Sequence, residues 1–414
     1  MGSLLGWSSG FSLWGVLAGA SLVVACSATS DPPAGTGGSS NAGTGGSTSP
    51  GSGGADPATG GGGADTGGSA GATGGASGTG GLPSGGSGGT TPGTGGSDPG
   101  TGGTGGDVGT GGGSTGLVMP IERGNGRYVL EFDGLFFEVD ANVGARIVTF
   151  ALDGQNILTG PDAHAENYGS TLTLSPQNPS GGAVGSGWPP PAGLDTMPYQ
   201  VSVEGEQVVM TSGATTVQGG TVQVTKRFTP DFVGGGVQVE YVLANVGAAA
   251  VSWAPWEISR ALPDGITFFP TGDPTHRPKT ELTLQDTGGW TWWPYDLADI
   301  TKAGVPTHGG KIMADGSQGW LAHAAGGLLF VTRFMDIPVE QQAPGEAEIS
   351  IYASRPTATV GAYVEIEPQG AFTTLQPGES LPWTVGWYLR ALPEGADLVV
   401  GDPELIAFTQ TLVQ

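Results

Sequence analysis

From about Ser27 to Gly116 the chain repeats variants of "GTGG" and "TGGS", with scattered Pro, Ala and Asp. A segment of that composition cannot bury enough apolar surface to offset the entropy lost in ordering it. It is expected to be a flexible tether of roughly 90 residues, with an r.m.s. span on the order of 50 Å. Collagen is excluded, because glycine does not recur at every third position. Whatever folds must therefore lie in residues 117–414, which are rich in Val, Ile, Phe, Tyr and Trp and long enough for one large core.

All 13 Lys and Arg fall in that part, together with 32 of the 37 Asp and Glu, because only Asp31, Asp56, Asp65, Asp98 and Asp107 come earlier. The resulting excess of 19 negative charges repels a phosphate backbone, so nucleic acid is not an expected partner.

Ahead of the tether, "FSLWGVLAGASLVVAC" is an apolar run of signal-peptide length that ends at Cys26, the only cysteine. It is too short to be a comfortable membrane span. "VVAC" resembles the bacterial lipobox, in which the cysteine is lipidated and becomes the first residue of the mature protein; no Lys or Arg precedes the run. This resemblance implies lipidation at Cys26 and a place in the bacterial cell envelope. With Ser27 rather than Asp after the cysteine, the outer membrane is the expected destination. The expected organisation is residues 1–26 as lipoprotein signal peptide, 27–116 as linker and 117–414 as the folded domain. A lone cysteine also means that no internal disulfide supports that domain.

The folded part reads as all-β. "GRYVLEFDGLFFEVDANVGARIVTFALDGQNIL" alternates apolar and polar residues and turns at Asp133-Gly134 and Asp153-Gly154. Similar runs recur in "YQVSVEGEQVVMTS", "GTVQVTKRFTP", "GGVQVEYVLANVG", "GGLLFVTRFMD", "AEISIYASR", "YVEIE" and "LPWTVGWYLRAL". The expectation is a large antiparallel β-sandwich. Only "DPELIAFTQTL" reads as a helix, with Asp402 as cap and Pro403 in its first turn.

Three stretches exceed what a minimal sandwich needs: 164–191, 252–279 and 286–304. They read as long loops, and loops on a rigid scaffold are where binding usually sits. They hold Trp188, Trp253, Trp256, Trp290, Trp292 and Trp293, six of the eleven tryptophans. A pyranose offers one apolar C–H face and a rim of hydroxyls, so its receptors need an aromatic platform and short hydrogen-bonding side chains. Either the indoles of "WTWWPY" pack as core, or at least one of Trp292 and Trp293 faces a ligand groove. Trp188, set in "SGWPPP", has nothing nearby to bury it locally.

Other chemistries lack local support. His164, His276, His308 and His323 are scattered, with no metal-ligand spacing and no second cysteine. Asp273 and Asp296 sit in no recognised calcium loop, so neither metal nor cofactor is expected. No nucleophile elbow, P-loop or dinucleotide fingerprint occurs in a strand-turn-helix context.

Three pieces, in order, resemble the galactose mutarotase superfamily, the aldose 1-epimerase-like β-sandwiches. "NVGARIVTFALDGQNILTG" is similar to the family's opening, "NYGSTLTLSPQ" to a loop that lines the sugar site, and "IEPQGAFTTLQPGESLPWTVGWYL" to its closing pattern. The resemblance implies a mutarotase-like β-sandwich and makes Glu367 the equivalent of the general base that takes the anomeric proton. Each positioned acid or base in such a reaction contributes about 10² to 10⁴ in rate. The family's acid is a histidine in a short stretch after a strand, and "VSWAPWEIS" stands there without one. Glu257 and His276 are the candidates to replace it.

The leading expectation is an envelope-anchored carbohydrate-binding protein that contacts its sugar through Glu367, Gln177, Trp188, Trp256, Glu257, His276, Trp292 and Trp293. An aldose 1-epimerase using Glu367 as base, and a non-catalytic structural surface domain, remain as alternatives.

Overall fold

The computed structural model describes residues 117–177, 189–217 and 219–413. The signal segment with Cys26, the linker and Trp188 lie outside the described residues.

Two large antiparallel sheets make up the domain. We number the strands along the sheet that carries the candidate site: β1 Ile121–Gly124, β2 Arg127–Phe132, β3 Leu135–Asp140, β4 Arg146–Leu152, β5 Ser170–Ser175, β6 Val251–Ala261, β7 Lys279–Thr280, β8 Gly309–Ala314, β9 Ile349–Ser354 and β10 Val364–Pro368. Their spatial order is β1-β2-β3-β4-β5-β6-β10-β9-β8-β7, and short strands Gln155–Asn156 and Thr373–Leu375 pair with β4 and β6. The second sheet runs from Gln285–Thr287 at one edge, through Ser380–Ala391 and Gly236–Asn245, to Gln200–Glu204 at the other. The antiparallel β-sandwich expected from alternation is therefore present, and each of the alternating runs quoted above forms a strand.

Local chemistry accounts for the hairpins. Asp133 and Gly134 have φ of 46° and 79°, and Asp153 and Gly154 have 49° and 84°. Two successive positive φ values define the turn whose twist matches that of the flanking strands, and Asp-Gly tolerates it best. The Gly144-Ala145 pair is a third left-handed corner, with φ of 65° and 48°. A Cβ on Gly144 would run into the backbone of Leu194 and Asp195, so the close approach requires glycine.

The core is the interface between the sheets. Phe137 and Phe150 from the first sheet meet Phe228, Phe330 and Trp387 from the second, with ring centroids 5.4–5.9 Å apart. On its far side the second sheet is covered by the C-terminal helix Pro403–Val413, where Leu405 is buried with Phe268, Trp292 and Trp320. Asp402 caps that helix by accepting from the Leu405 N–H at 2.6 Å.

Two of the expected loops are largely regular structure. The stretch 252–279 contains most of β6 and the strand Ile266–Pro270, and 286–304 contains Trp290–Pro294. Alternation is hidden there because both faces are buried, as all of Ile266–Pro270 and every β6 residue but Ser252 are. Pro255 also disguises β6 as a loop. Regular pairing of β6 to β10 covers only Ser259–Ala261, and the pair is joined again by a lone bridge at Trp256 and Gln369. The proline sits where that ladder is broken.

Candidate functional site

β6 divides its side chains between two environments. Glu257 points inward, where its carboxylate accepts from Tyr241 Oη at 2.6 Å and from Trp387 Nε1 at 3.1 Å. Trp256, Ile258 and Arg260 share the outer face. Opposite partners in the ladders extend that face into a row across four strands: Arg260 faces Glu365 on β10, Glu365 faces Tyr352 on β9, and Tyr352 faces Lys311 on β8. Period-two alternation puts all four on one side of the sheet.

Above this row lies a cleft of about 780 Å³. Trp256, Ile258, Tyr352, Tyr363, His164 and His308 supply rings and apolar surface to its lining, while Asn167, Gln177, Glu365 and Arg355 supply hydrogen-bonding groups. The His308 ring stacks on Tyr352 at 6.2 Å and 26°, and Tyr352 Oη donates to the His308 carbonyl at 2.7 Å. Burial pushes the Tyr352 phenol far up and Tyr363 to about 12, so both stay neutral near pH 7. His164 Nδ1 accepts from the backbone N–H groups of Glu166 and Asn167 at 3.2 and 3.0 Å, which leaves Nε2 as its donor nitrogen. That size and that mixture of aromatic faces with a few convergent polar groups suit a small ring-shaped ligand.

The charges in the cleft are mostly matched. Lys279 pairs with Glu281 at 2.9 Å, Glu365 with buried Arg260 at 2.9 Å, and Lys311 with Glu367 at 2.8 Å. Arg260 also donates to Thr171 Oγ1 at 2.8 Å, which braces the Glu365 carboxylate from β5 and β6 together.

Glu367 does not line the cleft. It is fully buried two residues along β10 from Glu365, on the same sheet face, and Lys311, which does line the cleft, is ion-paired to it. The Lys311 ammonium stands 4.3 Å from the centroid of the Trp256 ring, a contact worth about 0.5 to 2 kcal/mol. The second carboxylate oxygen, Oε1, has no hydrogen-bond partner among the described residues. Burial raises the Glu367 carboxyl to about 7 against the pull of Lys311, with Glu365 adding to the rise.

The other expected site residues are dispersed. Trp256 and Gln177 border the cleft, but Trp256 is fully buried with Lys311 against its ring, so it is no exposed platform. Glu257 is a buried partner of Tyr241 and Trp387 between the sheets, so it cannot serve as an acid in the cleft; burial raises its carboxyl to about 7. His276 is held elsewhere, its Nε2 3.2 Å from the Glu346 carbonyl. Trp292 stacks on Phe268 at 4.5 Å under the C-terminal helix. Trp293 is buried between the sheets with Nε1 donating to Asp299 at 3.3 Å. Both tryptophans are core residues, as an apolar strand covered on two faces requires. Sequence reasoning missed Lys311, Tyr352, Tyr363, His308 and Arg355 as site residues, because only strand order and register bring them beside Trp256. Among the described residues no cluster of three His, Cys, Asp or Glu could hold a metal ion.

A family model described as "Domain of unknown function (DUF4380)" matches residues 154–390, more than half of the chain. The chain belongs to the DUF4380 family. Every cleft residue named above lies inside the DUF4380 match, whereas β1 to β4 and the C-terminal helix lie outside it. Among solved structures, the chain is similar to a galactose mutarotase-like protein from Lactobacillus casei, at 12% identity and a TM-score of 0.45, over 64% of this chain and 100% of that one. It is similar to a galactose mutarotase related enzyme from Lactobacillus acidophilus at 10% identity and 0.42, over 63% and 97%. A galactose mutarotase-like protein from Clostridium acetobutylicum gives 11% and 0.39, over 64% and 95%. No curated protein sequence matches the chain.

Proposed function

We propose that the domain binds carbohydrate in the cleft above Trp256 and does so as a receptor rather than an epimerase. The observation that carries this reading is the Lys311–Glu367 pair. The carboxylate that the resemblance casts as the base is fully buried outside the cleft lining and neutralised by a lysine 2.8 Å away, while the Tyr352 and His308 rings and polar groups remain at the cleft itself. Titration calorimetry of the full chain against mono- and oligosaccharides tests it. Binding that disappears in Tyr352→Ala supports the reading, and heat-silent titrations with every sugar class overturn it.

The raised Glu367 carboxyl favours a second reading, since a group that titrates near 7 is suited to moving protons at neutral pH. In this version Lys311 relays the proton between Glu367 and the sugar. Polarimetry on fresh α-glucose and α-galactose decides it: an aldose 1-epimerase accelerates the optical change, and Glu367→Gln removes the acceleration.

We further propose that Cys26 is lipidated and that the linker tethers the domain to the bacterial outer membrane. The apolar run ending in "VVAC", followed directly by the glycine-rich tract, supports this.

A further inference from the structure

Formal charge is scarce and negative in this chain, with 13 Lys and Arg against 37 Asp and Glu. Three of those cations, Lys279, Lys311 and Arg355, line this cleft. Two are committed to carboxylates, Lys279 to Glu281 and Lys311 to Glu367. Arg355 is different. Its Nη2 donates to the Thr301 carbonyl at 3.2 Å, and it has no carboxylate partner among the described residues. The side chain is half-buried rather than waving in solvent. Its own backbone N–H is tied to the His308 carbonyl at 2.9 Å, the same oxygen that accepts from Tyr352. The guanidinium is thus anchored by one edge at the cleft wall, beside the His308 and Tyr352 rings, with further N–H donors to offer.

The remaining acid of the lining, Glu166, is exposed, so water screens it. Arg355 is partly shielded and carries a planar fork of donors that matches a planar oxyanion in two parallel bonds. One uncompensated guanidinium balances one negative charge. A phosphate near neutral pH carries more than one, and here the other two cations are already spent on glutamates.

We propose that the saccharide taken by this cleft is acidic, with a carboxylate of the uronate type seated on Arg355 and its ring lying against the accessible Tyr352–His308 surface. This rests on the carbohydrate reading above. It adds a substrate class: polymers or oligomers of uronic acids, in preference to neutral glycans.

The test is calorimetry of the full chain, at low and at physiological salt, with four probes of matched length: oligogalacturonate, oligoglucuronate-containing saccharide, their neutral galactose or glucose counterparts, and a sulfated counterpart. Uronates are expected to bind at least tenfold more tightly than neutral sugars, with the advantage shrinking as salt rises. Arg355→Gln should bring the ratio of uronate to neutral affinity close to one, and Arg355→Lys should restore only part of it, because an ammonium lacks the fork. Unchanged thermal unfolding of both variants confirms that they fold. Neutral sugars that bind as well as uronates overturn this inference and leave the carbohydrate reading standing. A preference for the sulfated probe overturns the carboxylate assignment. A chain that binds none of the four overturns both.

Discussion

Lys311 Nζ lies 2.8 Å from Glu367 Oε2 and 4.3 Å from the centre of the Trp256 ring, so a single ammonium joins the buried carboxylate to the aromatic wall of the cleft. Removing it should be felt on both sides. In Lys311→Met the carboxyl loses the cation paired with it and must be protonated to stay buried. We expect a loss of about 1 to 3 kcal/mol at pH 8, shrinking toward zero at pH 5, where Glu367 holds its proton in either protein. Urea unfolding at the two pH values measures this; an equal loss at both would show that the lysine acts by packing alone.

Stability should also fall with rising pH in the native chain. Burial raises Glu257 to about 7, Glu348 to about 8 and Glu367 to about 7, each from an ordinary 4.5. Their contribution is complete below about pH 4.5 and is lost as pH climbs through 7 to 8, because the unfolded chain releases these protons earlier. Buried Lys226, lowered to about 7 from 10.5, runs the other way above neutrality. Its neutral form suits the core, so it offsets part of the loss between pH 7 and 10. Chemical unfolding at pH 5, 6, 7 and 8 should give a declining series, on the order of 1 to 3 kcal/mol per carboxylate, and Glu348→Gln should flatten it.

A cleft ring and a core ring separate binding from stability. Tyr352→Ala should weaken sugar affinity at least tenfold. Trp292→Ala should leave affinity within about twofold while costing about 3 to 5 kcal/mol of stability, since it removes a ring stacked in a closed core. Equal effects of the two on affinity would show that the cleft is not the binding site.

Glu257→Ala deletes the acceptor shared by Tyr241 and Trp387 and strands two buried donors. A destabilisation of about 2 to 4 kcal/mol is expected, with sugar affinity unchanged. Glu257→Gln, which keeps one acceptor oxygen, should recover part of it.

At the other end of the chain, Cys26→Ala should abolish incorporation of labelled palmitate and move the protein from the membrane to the soluble fraction. Retention of the label would place the lipid on some other group.

Which parts of this molecule could be read in advance follows from how each segment meets solvent. Strands with one wet face, such as β2 and β3, announce themselves by alternation, and Asp-Gly turns mark their ends. Helix Pro403–Val413 announces itself by Asp402 and Pro403. β6 and Trp290–Pro294 do not, because burial on both faces erases the period and a proline interrupts the first. The site was legible only in Trp256 and Gln177. Lys311, Tyr352 and Arg355 are unremarkable in their own segments, and their meaning arises from the pairing of β6, β10, β9 and β8, which no local pattern specifies. Trp292 and Trp293 misled for the converse reason, since tryptophan density signals a sugar platform and a crowded core equally well.

β6 presents Trp256 to the cleft and Glu257 to the space between the sheets, with Ile258 and Arg260 again on the cleft side. Sliding its register by one residue would exchange those roles, driving an indole into the Tyr241 and Trp387 pocket and turning a carboxylate toward the cleft. The lining of the cleft and the packing between the sheets therefore share one parity constraint.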